Sequence, residues 1–337
     1  MDIPPDSASN AKYRHLVRQE LLPGLDIYPT IELKPEHVLA RRAQSNATVF
    51  GWAEAPLPDG LARSERFIPG PEGAPDVRVL IYSPAGRSTP RPALLHIHGG
   101  GYLFGVPEIN DVANRRIALA LDCVIVSVDY RLPPEATYPG PLEDCYAALS
   151  WLFGQAESLG VDPKRIGVAG ESAGGGLAAA LCLLARDRGE IPICFQALTA
   201  PMIDDRTGSS IDAPPHTGEF VWTPGLNRLG WSFMLGKDPG GGDVSPYAAA
   251  ARAENVSGLP PTFLYVGALD LFVLENIDYA RRLVAAGVPT ELHVYPGAYH
   301  GFEIAPGAEL VEIAMRDWET AVRRAFARPH ATEAALL

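Results

Sequence analysis

The apolar run Ile166–Ala169 passes directly into Gly170-Glu171-Ser172-Ala173-Gly174, and the helical pattern of Gly175–Arg186 follows at once. No other feature constrains this chain as tightly. A strand that becomes a helix over so few residues must turn sharply. Glycine on either side of the serine removes the Cβ clashes that such a turn would otherwise meet. The serine is thereby lifted above the sheet, with the free N–H groups of a helix N-terminus facing it. Composition alone would produce about 0.14 G-x-S-x-G patterns in a chain like this, so it is the strand–turn–helix setting that gives the motif its meaning.

The remainder of the chain supplies that setting. Val77–Tyr82, Ala93–Ile97, Cys123–Val128, Ile193–Leu198, Thr262–Val266 and Glu291–Tyr295 join Ile166–Ala169 as strand candidates. Several are continuous apolar runs, as expected of strands covered on both faces. Helical patterns lie between them at Val112–Leu121, Leu142–Leu159, Gly175–Arg186, Leu274–Ala286 and Leu310–Ala327, with Gly287 as a stop signal. The alternation predicts an α/β fold, a mostly parallel sheet with helices on both faces. Residues 1–55 read as a partly helical leader, with helices expected over Ala11–Leu22 and Pro35–Gln44. Residues 201–258 break the alternation. They are rich in proline and glycine and carry Phe220, Trp222, Trp231, Phe233 and Met234, which suggests a lid or cap insertion.

A second glycine motif follows a strand. His98-Gly99-Gly100-Gly101 comes directly after Ala93–Ile97. Chance yields on the order of 0.01 such patterns, so this signal is more specific than the first. Small residues after a strand leave amides unpaired and able to approach a ligand, as an oxyanion hole requires. The N–H groups of Gly99, Gly100 and Ala173 are the candidate donors. His96 and His98 form H-x-H, but no Cys or His cluster completes a metal site, and no metal is expected.

His98–Gly101 with Gly105, Asp129-Tyr130-Arg131-Leu132-Pro133-Pro134-Glu135 and Gly170–Gly175 together resemble the hormone-sensitive-lipase-type (family IV) bacterial esterases. Pro201–Arg206, Gly258–Pro261 and His300-Gly301-Phe302 agree, and the likeness spans about residues 75 to 320. It is strongest toward acetyl-esterase and heroin-esterase-like members. The resemblance implies an α/β-hydrolase fold with an eight-stranded sheet, short-acyl carboxylesterase activity, no cofactor and an N-terminal cap. It also implies a homodimer through the last strand, here Glu291–Tyr295. The domain reading that follows is a cap segment at 1–55 and a catalytic domain at 56–330, with 201–258 adding to the cap. The chain departs from the family at Asp270-Leu271-Phe272-Val273-Leu274-Glu275, where the family's acid opens D-P-L-x-D-E.

A serine hydroxyl needs a base, and the base needs an orienting group. In this fold the chain order is serine, acid, histidine. Asp270 follows Thr262–Val266 and His300 follows Glu291–Tyr295, so strand ends on one sheet edge carry both toward Ser172. Ser172 is the candidate nucleophile, His300 the general acid and base, and Asp270 the orienting acid, with Glu275 in reserve. Glu171 is read as a structural hydrogen-bonding group. Asp129, Arg131 and Glu135 are read as an ion-pair cluster bracing the oxyanion loop. Tyr102 and Trp222 are chosen to line the substrate site from among the aromatics Tyr102, Phe104, Trp222, Trp231 and Phe233.

Composition narrows the function classes. A net charge of −12 argues against nucleic acid and anionic membranes as partners. Cys123, Cys145, Cys182 and Cys194 form no C-x-x-C pair and sit among apolar residues, as buried thiols do. No secretory leader pattern or bilayer-spanning run is visible, so a cytoplasmic location is expected. The leading function is a carboxylesterase for small to mid-sized acyl esters, its partner being the small-molecule ester. Amidase, carbamate hydrolase or acyltransferase chemistry on the same triad is the alternative. A ligand-binding receptor on this scaffold is the weaker non-catalytic one.

Overall fold

The computed structural model describes residues 11–53, 55–86 and 89–327. Its strands are β1 (Leu61–Ile68), β2 (Val77–Pro84), β3 (Arg91–Ile97), β4 (Val124–Asp129), β5 (Val161–Glu171), β6 (Gln196–Thr199), β7 (Thr262–Gly267) and β8 (Thr290–Tyr295). Its helices are α1 (Leu22–Ile27), α2 (Val38–Ala53), α3 (Asp111–Leu121), α4 (Gly140–Gly154), α5 (Ala173–Arg188), α6 (Pro224–Leu235), α7 (Val273–Ala285) and α8 (Glu309–Ala327). Outermost parts of the expected domains, residues 1–10 and 328–330, lie outside the described residues.

The continuous apolar strands are explained by period-two burial into two layers. In β3, Ala93, Leu95 and Ile97 enter one core while Leu94 enters the other. In β4, Val124, Val126 and Val128 part from Ile125 in the same way. α4, α5 and α7 contribute to the first layer, α3 and α8 to the second. The eight strands form one sheet in the order β1-β2-β4-β3-β5-β6-β7-β8. β2 runs antiparallel to both neighbours and the rest pair in parallel. This is the α/β-hydrolase fold expected from the resemblance.

β1 carries no apolar alternation and escaped the sequence reading. Only its ends, Leu61 and Ile68, are buried. The strand is held by its backbone ladder to β2 and by charged pairs such as Arg63 with Asp111 and Arg78 with Glu65. The leader also differs in detail. Ala11–Leu22 is not one helix but two 3-10 turns, Arg14–Leu16 and Gln19–Leu21, leading into α1. Pro23 sits in the first turn of that helix, where its missing N–H costs nothing. α2 begins after a 3-10 turn at Pro35–His37 and runs to Ala53, well past Gln44.

Residues 201–258 hold α6, a helix the proline density hid. Its start is signalled by Thr223, whose hydroxyl accepts from Leu226 N–H at 3.2 Å, and by Pro224 behind it. Gly236, at φ +66°, ends it. Trp231 and Met234 fasten α6 to the first core. The excursion is closed by a buried charge pair: Asp205 accepts from Arg252 Nε at 2.6 Å and Nη2 at 2.8 Å, and from Gly240 N–H at 2.7 Å.

Asp205 has no exposed side-chain surface, so its charge depends on Arg252. Arg252→Leu leaves that carboxylate without its counter-ion and is expected to cost about 3–5 kcal/mol. Urea unfolding should show a lowered midpoint at unchanged slope; an unshifted midpoint would show that the pair does not hold the excursion.

Candidate active site

β5 runs straight into the serine turn. Ser172 adopts φ +54° and ψ −120° between β5 and α5, a conformation a non-glycine residue takes only under constraint. The constraints are visible. Ser172 N–H donates to Thr199 O at 2.9 Å, at the end of β6, and Ser172 O accepts from Gly176 and Met202 N–H, each at 2.9 Å. α5 is buried from Ala173 through Ala185, so the turn sits on a helix that is sheathed by the body.

The two glycine motifs lie against each other. A Cβ on Gly174 would stand 2.1 Å from Ile97 O and 2.3 Å from His98 O, so only glycine lets the first turn of α5 meet the end of β3. Gly99 lies beside Glu171 O and Ser172 Cβ. Among the described residues, the N–H groups of Gly99, Gly100 and Ala173 have no protein acceptor. Leu103 and Phe104 N–H both donate to Gly100 O, at 3.0 and 2.9 Å, and curl the loop around these amides. His98 Nδ1 lies 2.8 Å from Gly99 O. Burial lowers the His98 pKa to about 4 and keeps the ring neutral, and the carbonyl beside Nδ1 selects the tautomer that carries its proton there.

Asp270 and His300 arrive on adjacent loops. Ala268 N–H donates to Tyr295 O and Leu269 N–H to Ala298 O, each at 2.9 Å, so the turns after β7 and β8 are joined. His300 Nε2 lies 2.9 Å from Ser172 Oγ, and His300 Nδ1 lies 2.8 Å from Asp270 Oδ2. Asp270 Oδ1 accepts from Phe272 N–H at 2.9 Å, which fixes the carboxylate. Phe272 also sets its ring at right angles to His300, with centroids 5.2 Å apart. Burial pulls the His300 pKa down, but Asp270 and then Glu303 outweigh it and hold the imidazole above its ordinary value. Glu303, on the turn just after His300, drew no notice in the sequence, because a lone glutamate carries no spacing signal.

The other expectations divide. Glu171 Oε1 lies 2.9 Å from His96 Nε2, and His96 Nδ1 lies 2.9 Å from Ser127 Oγ, a structural network beneath the turn. The two rings of H-x-H are thus occupied with protein partners. Glu275 does not approach the triad; its Oε1 accepts from Ile203 and Asp204 N–H, at 2.8 and 3.2 Å, and steadies the chain after β6. Asp129, Arg131 and Glu135 do not form a cluster. Asp129 pairs with Arg78, Arg131 with the buried Asp144, and Glu135 with Arg42 of α2. Each finds a closer partner on another element. The brace of the oxyanion loop is instead Tyr130, whose ring stacks on His98 at 4.3 Å and whose hydroxyl donates to His98 O at 2.9 Å.

Tyr102 likewise does not line an open site. Its side chain is fully buried, its hydroxyl faces Met202 O at 3.4 Å and its ring meets the Trp231 edge at 5.2 Å. Tyr102 has φ +62°, which turns it from the loop into the core. Trp222 does border the site, its indole centroid 6.4 Å from the His300 ring. The four cysteines are free thiols, and burial pushes Cys123 and Cys194 up to about 12. Among the described residues no group of three or more His, Cys, Asp or Glu could hold a metal, and no helix is long and apolar enough to cross a membrane.

Known proteins share this sequence and shape. The sequence profile of an alpha/beta hydrolase fold family matches residues 94–304. The carboxylesterase NlhH of Mycobacterium tuberculosis is 37% identical over 252 residues, 73% of this chain and 76% of that protein. The esterase LipI of the same organism is 36% identical over 70% of this chain and 73% of its own. The solved structure of a bacterial heroin esterase superposes with a TM-score of 0.85 at 38% identity, covering 93% of this chain and 99% of that one. The chain therefore belongs to the hormone-sensitive-lipase-type (family IV) branch of the α/β hydrolases and is a carboxylic ester hydrolase.

Proposed function

We propose that the enzyme hydrolyses small to mid-sized acyl esters through an acyl-enzyme on Ser172. The observation that carries this reading is the continuous line of contacts from Ser172 Oγ to His300 Nε2 and from His300 Nδ1 to Asp270 Oδ2, at 2.9 and 2.8 Å.

In this reading His300 Nε2 takes the hydroxyl proton as Ser172 Oγ attacks the ester carbonyl. Negative charge develops on the carbonyl oxygen, and the unpaired amides of Gly99, Gly100 and Ala173 are the donors that meet it. The C–O bond to the alcohol then breaks, and His300 Nε2–H protonates the departing alkoxide. Water enters, gives its proton to Nε2 and attacks the acyl carbon. The second tetrahedral intermediate collapses to free acid, and Ser172 recovers its proton. Asp270 accepts from Nδ1–H throughout. That bond fixes the tautomer with a lone pair on Nε2 and stabilises the imidazolium of each intermediate. Trp222 narrows the approach, in keeping with esters of modest size.

Three outcomes are expected. An organophosphonate should label Ser172 stoichiometrically, as read by intact mass, and Ser172→Ala should take up none. Asp270→Asn should retain the parental melting curve and lose about 10³–10⁴-fold in kcat; near-normal turnover would place the acid elsewhere. The pH profile tests the electrostatics. The base works only when neutral, and Asp270 and Glu303 favour its charged form. kcat/KM should therefore rise with pH around a midpoint above about 6.5, the ordinary imidazole value. In Asp270→Asn the residual activity should show that midpoint moved down, because burial then acts with less opposition.

A further inference from the structure

The backbone is strained immediately before Trp222. Trp222 N–H donates to Phe220 O at 2.7 Å, and Val221 between them has φ +62°. A bond from residue i+2 back to residue i across positive φ is the rare, strained form of γ-turn. A β-branched side chain suits that region worst of all. Such a conformation persists only where its surroundings over-determine it.

The leader supplies the surroundings, from about 190 residues away in sequence. Val221 N–H donates to Thr30 Oγ1 at 3.0 Å, and the same hydroxyl donates to Glu219 O at 3.4 Å. The Glu219 carboxylate accepts from the backbone N–H groups of Lys12 at 2.7 Å and Tyr13 at 2.8 Å. On the other side, Gly218 N–H donates to Leu269 O at 3.0 Å, one residue before Asp270. The turn is thus clasped between the leader and the loop that carries the acid.

What the turn aims is the indole. A Cβ on Gly101 would come within 1.8 Å of Trp222 Cη2, so the ring fills the space beside the oxyanion loop. It also faces His300, and its Nε1–H donates to Asn227 Oδ1 at 3.2 Å, on α6. The indole nitrogen is held by α6, its far edge lies against Gly101 and its root is set by the γ-turn.

We propose that Thr30 and Glu219 are positioning residues that hold Trp222 at the mouth of the site and thereby set which ester sizes the enzyme accepts. This rests on the esterase reading above. Thr30 touches no reacting atom; it acts on selectivity by fixing one side chain that does border the site.

The test compares the full-length parent with Thr30→Val, Thr30→Ser, Glu219→Gln, Trp222→Ala and the double variant Thr30→Val/Trp222→Ala. kcat and KM are measured for p-nitrophenyl esters from acetate to dodecanoate and for alkyl acetates from ethyl to octyl. Thr30→Val keeps the shape and loses the hydroxyl. It should change the long-to-short ratio of kcat/KM in at least one series by about fivefold, the scale of one hydrogen bond. The change should lie in KM, with kcat on p-nitrophenyl acetate near the parent value. Thr30→Ser should behave as the parent, and Glu219→Gln should shift the ratio in the same direction as Thr30→Val. In the Trp222→Ala background, Thr30→Val should change the ratio no further. Equal loss on all substrates, or the same shift with Trp222 absent, overturns the proposal. If Thr30→Val does not fold, Glu219→Gln decides by the same criteria. A parent that cleaves none of these esters sinks the esterase reading instead.

Discussion

The carbonyls of Ile97 and His98 occupy the place where a side chain at position 174 would stand. That contact forces the serine turn and the oxyanion loop, some 70 residues apart in sequence, into one small volume. Much else in the structure serves to keep them there. β3 and β5 pair in parallel up to Ile97 and Gly170, which brings both turns to the same height. The His96–Glu171 contact spans the same two strand ends, and Tyr130 closes the loop from the far side. Small residues allow the approach, and polar contacts around them fix its distance.

The electrostatics of the site follow from its depth. His300 and Asp270 are both nearly inaccessible, so neither keeps its full hydration. An imidazolium in such a place would be costly without a partner, and Asp270 is the partner. The carboxylate has its own fixed donor in Phe272 N–H, which holds it in place. The same burial keeps His98 neutral although it lies close by, because no carboxylate touches its ring. His300 has Asp270 against its ring and Glu303 acting with it, while His98 has no carboxylate in contact, and the two histidines are held in different protonation ranges.

The elements legible in the sequence were those whose physics is local. Continuous apolar runs marked the strands with two covered faces, and the glycine turns marked the chemistry. Chain order brought Asp270 and His300 together with Ser172, since parallel strands deliver their ends to one edge. β1 was illegible because an edge strand with exposed charges has no burial pattern to show. α6 was missed although Thr223-Pro224 and Gly236 bracket it, because surrounding prolines drowned those signals. The assignment of Asp129, Arg131 and Glu135 to one cluster failed for another reason. Adjacent charges in a sequence have many distant suitors, and Arg78, Asp144 and Arg42 could be matched to them only in three dimensions.

α5 is enclosed on every side from Ala173 to Ala185, and Ser172 caps its N-terminus. Amides in so enclosed a helix exchange with solvent mainly through openings of the whole domain. Ser172 is therefore carried at the head of a helix whose backbone is shielded along its first thirteen residues. Loosening that helix means exposing the apolar core on which it lies, so the placement of Ser172 is tied to the stability of the whole body.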